Sequence, residues 1–167
     1  EIPLTHGCNK KRGKRMIKVC FVCLGNICRS PMAELVFKDL AEKEGLSDKF
    51  EITSCGTSSC EAGSAIYPPI KRTLDSHRIS GSHIARKITK TDLEDSDYIL
   101  AMDGENIYEL KCMSGGKYSD KMYKLCSFTD KPRDVADPWY TRDFERAYCD
   151  VFDGCRAFLE YLKREAL

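Results

Sequence analysis

The segment from Cys23 to Pro31 reads CLGNICRSP and joins two contrasting runs of sequence. The run before it, Ile17 to Val22, is β-branched and almost continuously apolar, which predicts a strand buried on both faces. The run after it repeats apolar residues at helical spacing, with Ser30 predicted as the N-cap and Pro31 as the first helical residue. A strand that turns tightly into a helix directs backbone N–H groups toward one point, so this segment predicts an anion-binding loop.

The residue types in this loop suit a phosphoryl group. Arg29 can bind two phosphoryl oxygens at once, which a lysine does less well. The same cation and the helix N-terminus favour a thiolate at Cys23, which makes it a candidate nucleophile. Gly25 and Asn26 tolerate the positive φ that a loop with inward N–H groups requires, and Ser30 can donate its hydroxyl to the sulfur. A purely structural turn remains an alternative, but it gives no reason for a charged Arg29 at this position.

The rest of the chain alternates predicted strands and helices. Further strands are predicted over 50–54, 98–102 and, more weakly, 122–126; helices over 70–77, near Thr91, over 104–112 and over 144–162; and loops over 55–69 and 127–140. This order favours an α/β domain with a mostly parallel sheet.

Length and charge limit the classes of protein. A chain of 167 residues with 42% hydrophobic and 32% charged residues is typical of one globular domain. Residues 1–15 hold five basic residues and one acid, which predicts a basic extension, flexible or artificially added, before a single domain at 16–167. The remaining residues hold 22 basic and 25 acidic side chains, which argues against nucleic-acid binding. No apolar stretch predicts a membrane span.

The ten cysteines predict buried thiols in a reducing cytoplasm rather than a disulfide scaffold, because no secretion signal is evident. Cys20 and Cys23 have a zinc-like spacing, but no comparable second pair follows, and a strand would point them to opposite faces. We therefore expect neither a metal nor another cofactor.

The CLGNICRSP run strongly resembles the signature of the low-molecular-weight protein tyrosine phosphatases. Three later segments resemble that family's landmarks in the same order, at 82–86 (SHIAR), 97–100 (DYIL) and 137–140 (DPWY), so the resemblance extends from about Met16 to the last helix. It implies a four-stranded parallel sheet flanked by helices, with the phosphate-binding loop after the first strand. It also implies metal-free catalysis through a phosphocysteine.

The resemblance also assigns roles to residues. Cys23 becomes the nucleophile, Arg29 the phosphoryl-binding cation and Asp137 the general acid and base. The residues alone do not single out Asp137 among the neighbouring aspartates. Ser54 and His83, together with Asn26, are implied to hold the loop in shape. The residues implied to contact the substrate are Leu24, Gly25, Asn26, Ile27, Cys28, Ser30, Trp139 and Tyr140.

Ile27 in the loop and Cys60 on the opposite side of the pocket bear on which substrates we expect. The expected substrates are proteins that contain phosphotyrosine, with phosphate, sulfate or vanadate as active-site anions. Relatives directed at phosphoarginine have threonine where this chain has Ile27, so Ile27 favours phosphotyrosine. Many family members have an aromatic residue where Cys60 aligns, so Cys60 leaves that side of the pocket open.

Cys28 has two equally weighted interpretations, a small buried residue or the partner of Cys23 in a reversible protective disulfide.

Two other functions are open to a chain with this loop. A thiol-linked arsenate reductase resembles this fold but needs two further cysteines after the third strand, where only Cys112 is found. A non-catalytic phosphate-binding module would need Arg29 but neither Cys23 nor Asp137. Physiological substrates and oligomeric state are beyond what the sequence indicates.

Overall fold

A four-stranded parallel sheet forms the centre of the computed structural model, which describes residues 15–167; most of the predicted basic extension lies outside the described residues. The strands are β1 (Ile17–Cys23), β2 (Phe50–Gly56), β3 (Tyr98–Ala101) and β4 (Met122–Lys124), in the order β2-β1-β3-β4. β1 pairs with β2 from Ile17 opposite Phe50 to Cys23 opposite Gly56. The predicted α/β class and the four-stranded parallel sheet are confirmed.

Helices connect the strands and cover both faces of the sheet. They are α1 (Arg29–Lys43), α2 (Pro68–Ser76), α3 (Lys90–Asp95), α4 (Gly104–Ser114), α5 (Pro138–Thr141) and α6 (Phe144–Glu165). Short 3-10 helices lie at Ser47–Lys49, Ser119–Lys121 and Leu125–Phe128. In the part of the chain that the structure covers, no helix has both the length and the apolarity that crossing a bilayer requires.

Several boundaries differ from the prediction. The predicted loop 55–69 is shorter, because β2 continues to Gly56 and α2 begins at Pro68. Ser30 is not the N-cap of α1, which begins at Arg29 after Cys28, because the Ser30 hydroxyl is used beneath the loop. The fourth strand ends at Lys124 rather than at 126, because Leu125 begins a 3-10 helix that packs against α6. The predicted loop 127–140 ends in α5, where Pro138 takes the first helical position and the Asp137 side chain caps the helix.

The alternation of side chains on β1 explains why this strand is apolar throughout. Val19 and Phe21 belong to the larger core, which α1 and α6 cover. Cys20 and Val22 belong to the smaller core on the other face, together with residues of α3 and α4. Parallel strands covered on both faces need apolar residues at every position.

The topology places the carboxyl ends of β1 and β3 at one edge of the sheet. The chain leaves β1 toward β2 and later returns on the other side of β1 as β3. In open α/β sheets, ligands bind at the carboxyl ends of the strands, where the strand order reverses in this way. The Cys23 loop follows β1 at this point, and Asp103 follows β3.

Candidate active site

The loop of residues 24–28 turns from β1 into α1 around the thiol of Cys23. The backbone N–H of Asn26 lies 3.3 Å from Cys23 Sγ, and the hydroxyl of Ser30 lies 3.0 Å from it. Asn26 has the predicted positive φ, at 59°. The prediction of a positive φ at Gly25 is wrong; a Cβ there would instead lie 3.3 Å from the side chain of Glu61. The missing side chain therefore lets the Glu61 loop pack against the Cys23 loop.

The side chain of Asn26 fixes the loop from below. Its Nδ2 group donates to the hydroxyls of Ser30 at 2.8 Å and Ser54 at 3.1 Å. Its Oδ1 atom accepts from the backbone N–H of Arg86 at 3.0 Å and lies 2.7 Å from His83 Nε2. Asn26 is buried, so these bonds satisfy its polar atoms and hold its left-handed backbone in place. The structure thus brings Ser54 and His83 to the loop, as the resemblance implies.

A buried carboxylate that sequence reasoning missed supports His83. Glu34 on α1 lies 3.6 Å from His83 Nδ1 and accepts a 2.8 Å hydrogen bond from Lys38. Burial lowers the pKa of His83, and the Glu34 carboxylate opposes that shift. The sequence does carry a signal for this carboxylate: Glu34 lies among apolar residues on the inner face of a helix, where an unpaired charge is costly.

Arg29 is almost fully buried, with 3% of its side chain exposed, and it meets two carboxylates. Its Nη1 donates to Asp103 Oδ2 at 2.6 Å and to the carbonyl of Val135 at 2.8 Å, and its Nη2 lies 3.5 Å from Asp137 Oδ2. Burial alone would lower the pKa of Arg29, but Cys23, Asp103 and Asp137 raise it above its usual value. Arg29 is therefore a permanent cation beside the thiol.

Asp137 reaches the site from the long loop between β4 and α5. Its Oδ1 accepts a 3.0 Å hydrogen bond from the backbone N–H of Trp139, and its Oδ2 faces Arg29. Asp137 and the thiol of Cys23 line the same cleft of about 200 Å³. The structure therefore brings Cys23, Arg29 and Asp137 together.

The cleft is lined by the loop and by two further segments. Trp139 and Tyr140 lie at its rim, with 46% and 78% of their surface exposed. The ring of Tyr67 packs 5.0 Å from that of Trp139, and its backbone N–H donates to the Ile27 carbonyl. Of the predicted substrate-binding residues, Ser30 does not line the cleft, because its hydroxyl points to the sulfur from beneath. The lining residues are Cys23, Leu24, Gly25, Asn26, Ile27, Cys28, Arg29, Cys60, Glu61, Asp137, Trp139 and Tyr140.

Gly56, at the end of β2, lets the neighbouring loop approach the site. A Cβ on Gly56 would lie 2.6 Å from the carbonyl oxygen of Leu24, a contact that real structures essentially never show. The next residues extend the contact: Thr57 donates to the Cys23 carbonyl at 2.9 Å and Ser58 to the Leu24 carbonyl at 3.0 Å. Only glycine fits this position without moving the loop backbone.

Cys28 lies in the same loop, and its environment keeps it a neutral thiol. Burial and the neighbouring Cys23 raise the pKa of Cys28 to about 12. Across residues 15–167, no three side chains of the types that bind metals come together. The chemistry that this arrangement offers is attack by sulfur on an anionic centre, with a fixed cation and a nearby carboxyl group.

Known proteins resemble this chain over most of its length. The family described as Low molecular weight phosphotyrosine protein phosphatase matches residues 18–167. The low molecular weight protein-tyrosine-phosphatase YfkJ of Bacillus subtilis is 41% identical over 156 residues, covering 90% of this chain and 98% of the relative. Its crystal structure superposes with a TM-score of 0.88 at 41% identity and covers 93% of this chain and 99% of the YfkJ chain.

Two further comparisons bear on the substrate. A low molecular weight phosphotyrosine protein phosphatase of Homo sapiens is 41% identical over 150 residues, covering 85% of this chain and 93% of the relative. The crystal structure of the drosophila arginine phosphatase DARP has a TM-score of 0.83 at 32% identity and covers 89% of this chain and 99% of that protein. The fold is thus shared by proteins named for two kinds of phosphorylated residue.

Proposed function

This chain belongs to the low molecular weight phosphotyrosine protein phosphatase family and is a protein tyrosine phosphatase of that type, and we propose that it acts through a phosphocysteine on Cys23. The observation that carries this mechanism is the meeting of Cys23, Arg29 and Asp137 in one cleft. A thiol nucleophile, a buried cation and a carboxyl group are the three parts that a phosphocysteine mechanism requires.

In the first step, Cys23 Sγ attacks phosphorus and the bond to the tyrosine oxygen breaks. Arg29 and the N–H groups of residues 24–28 bind the phosphoryl oxygens, because these residues line the cleft beside Cys23. Asp137 gives its proton to the departing phenolate oxygen, so that a neutral tyrosine leaves.

In the second step, the Asp137 carboxylate takes a proton from water as the water attacks the phosphocysteine. The S–P bond breaks, inorganic phosphate forms and Cys23 leaves as a thiolate. The Ser30 hydroxyl lies 3.0 Å from Sγ and stabilises that thiolate by donating a hydrogen bond.

The substrates that this site fits best are proteins that carry phosphotyrosine. Trp139 and Tyr140 offer aromatic faces at the rim for a phenyl ring, and the apolar Ile27 lies among the lining residues. Phosphate, sulfate and vanadate are the anions we expect to occupy the loop. We also propose a reducing compartment, the cytoplasm, because Cys23 acts only as a free thiol.

Turnover of three substrates tests this assignment. We expect a phosphotyrosine peptide to be hydrolysed at least about 100-fold more efficiently than phosphoarginine, since Ile27 offers the guanidinium no hydrogen bond. We expect no thiol-coupled reduction of arsenate and competitive inhibition by vanadate.

The Ile27→Thr variant is the matched comparison, since it changes only the lining position. We expect it to gain activity toward phosphoarginine. Preferential hydrolysis of phosphoarginine by the unaltered chain would contradict the proposed substrate, and arsenate reduction would contradict the reaction class. Binding of phosphate without any turnover would favour a non-catalytic module.

A further inference from the structure

The loop that carries Asp137 has no helix or strand of its own from 129 to 137. A carboxyl group at the end of such a segment is held in place only if other parts of the fold anchor the loop. Proton transfer to a leaving oxygen needs the carboxyl group within hydrogen-bond reach, and small displacements lower the rate strongly. The anchors of this loop therefore matter for the reaction.

One anchor is Arg133, which lies four residues before Asp137 and does not line the cleft. Its Nε donates to Asp150 Oδ1 at 2.9 Å and its Nη2 to Asp153 Oδ2 at 3.1 Å, both on α6. Its Nη1 donates to the Lys131 carbonyl at 2.9 Å and to the Thr129 hydroxyl at 3.3 Å. The guanidinium thus fastens the loop to itself and to the longest helix described.

Asp150 is the buried carboxylate that Arg133 contacts. Its side chain is only 6% exposed and also lies 3.5 Å from Arg146 Nε, while its backbone carbonyl accepts from the thiol of Cys126. The mechanism above does not use this buried carboxylate. An ion pair whose carboxylate is buried, and whose guanidinium also donates hydrogen bonds to other groups, holds its geometry far better than an exposed pair.

The second anchor lies between Arg133 and the acid. Val135 is fully buried; its N–H donates to the Met102 carbonyl at 2.9 Å and its carbonyl accepts from Arg29. The loop is therefore held at 133 by α6 and at 135 by Met102, the residue after β3, and by Arg29, so both anchors lie within four residues of Asp137.

We propose that Arg133, through Asp150, is a positioning residue that sets Asp137 for proton transfer. The proposal rests on the proposed role of Asp137 as the general acid. It makes the effect of Arg133 depend on the leaving group, because a stable phenolate needs little protonation and a poor leaving group needs it strongly. A merely structural role for Arg133 predicts no such dependence.

The test compares kcat/KM for phenyl phosphate, a poor leaving group, and dinitrophenyl phosphate, a good one. For Arg133→Met we expect a loss of about 10-fold or more with phenyl phosphate and less than about 3-fold with dinitrophenyl phosphate. The matched control is Lys124→Met. Lys124 pairs with Asp134, next to Arg133, but both side chains are exposed, so we expect both substrates to react normally.

Two further variants keep the test decisive. Arg133→Lys retains a charge near Asp150 and should recover part of the loss with phenyl phosphate; it also serves if the methionine variant does not fold. In the Asp137→Asn background, adding Arg133→Met should change kcat/KM by less than about 2-fold, because the group it positions is already gone.

Equal losses with both substrates in the Arg133 variants, or a full additional loss in the Asp137→Asn background, would overturn the positioning role. If Asp137→Asn itself shows equal losses with both leaving groups, the proposed role of Asp137 fails as well. The two failures are therefore distinguishable.

Discussion

Arg29 and Asp103 form the shortest polar contact of the site, with Nη1 donating to Oδ2 at 2.6 Å. The other oxygen of Asp103 accepts from the backbone N–H of Asn106 and caps α4. One carboxylate therefore links Arg29, the cation proposed to bind the phosphoryl group, to the first turn of the helix that follows β3. This link holds the guanidinium plane in position before any substrate arrives, which is the condition for effective electrostatic stabilisation.

Replacing Asp103 with asparagine should weaken the orientation of the Arg29 guanidinium, although a side chain that can form hydrogen bonds remains. We expect kcat/KM for a phosphotyrosine peptide to fall by about 10- to 100-fold, because charge-assisted hydrogen bonds are about twice as strong as neutral ones. The control is Glu105→Gln, which removes an acid from the same turn of α4 without touching Arg29. An unchanged kcat/KM in Asp103→Asn would show that Arg29 does not depend on this contact.

Ser30→Ala should slow the second step more than the first. In the proposed mechanism the hydroxyl stabilises the departing thiolate, so its loss should lower kcat by about 10-fold or more while the phosphocysteine accumulates. Stopped-flow measurement with an aryl phosphate should then show a full burst of phenol followed by slower turnover. A smaller burst with reduced kcat/KM would place the effect of Ser30 in the first step.

Gly56→Ala should damage activity although Gly56 does not line the cleft. Its Cβ would meet the Leu24 carbonyl at 2.6 Å, and a backbone atom cannot move aside cheaply. We expect a stability loss of about 1–3 kcal/mol, as for other overpacked sites, together with weaker vanadate inhibition. Gly104→Ala is the control, because a Cβ there meets nothing within 4 Å. Vanadate affinity unchanged in Gly56→Ala would mean that the loop tolerates the displacement.

Alkaline pH should destabilise the fold partly through Cys28. Its pKa is about 12 in the folded protein, whereas the pKa of an unfolded thiol is about 8.5. Above that lower value the unfolded chain loses a proton that the folded chain keeps, so stability falls as pH rises. Melting temperatures between pH 8 and pH 10.5 should therefore fall less steeply for Cys28→Ser than for the unaltered chain. Parallel curves would show that Cys28 does not contribute.

The parts of the molecule that the sequence could predict are those determined by neighbouring residues. β1 and the loop after it follow from an apolar run and from Asn26, which tolerates a positive φ, all within ten positions. The N-cap at Ser30 was wrong for a physical reason: its hydroxyl contacts Cys23 and Asn26 instead of a helical N–H.

The parts that the sequence could not predict depend on contacts between distant residues. Asp103 meets Arg29 across 74 positions, and nothing near Asp103 in the sequence signals that pairing. Only the family resemblance selects Asp137, since the residues alone leave Asp130, Asp134 and Asp143 open as well. Arg133 and Asp150 pair only because α6 returns beside the loop.

Rapid-quench trapping shows whether Cys23 carries the phosphoryl group during turnover. The enzyme is mixed with a radiolabelled phosphotyrosine peptide, quenched during the first turnover, digested and mapped by mass spectrometry. We expect labelled phosphate on the peptide that contains Cys23 and no turnover in Cys23→Ser, which should still bind vanadate. Near-normal turnover by Cys23→Ser, or label confined to another residue, would contradict a phosphocysteine on Cys23.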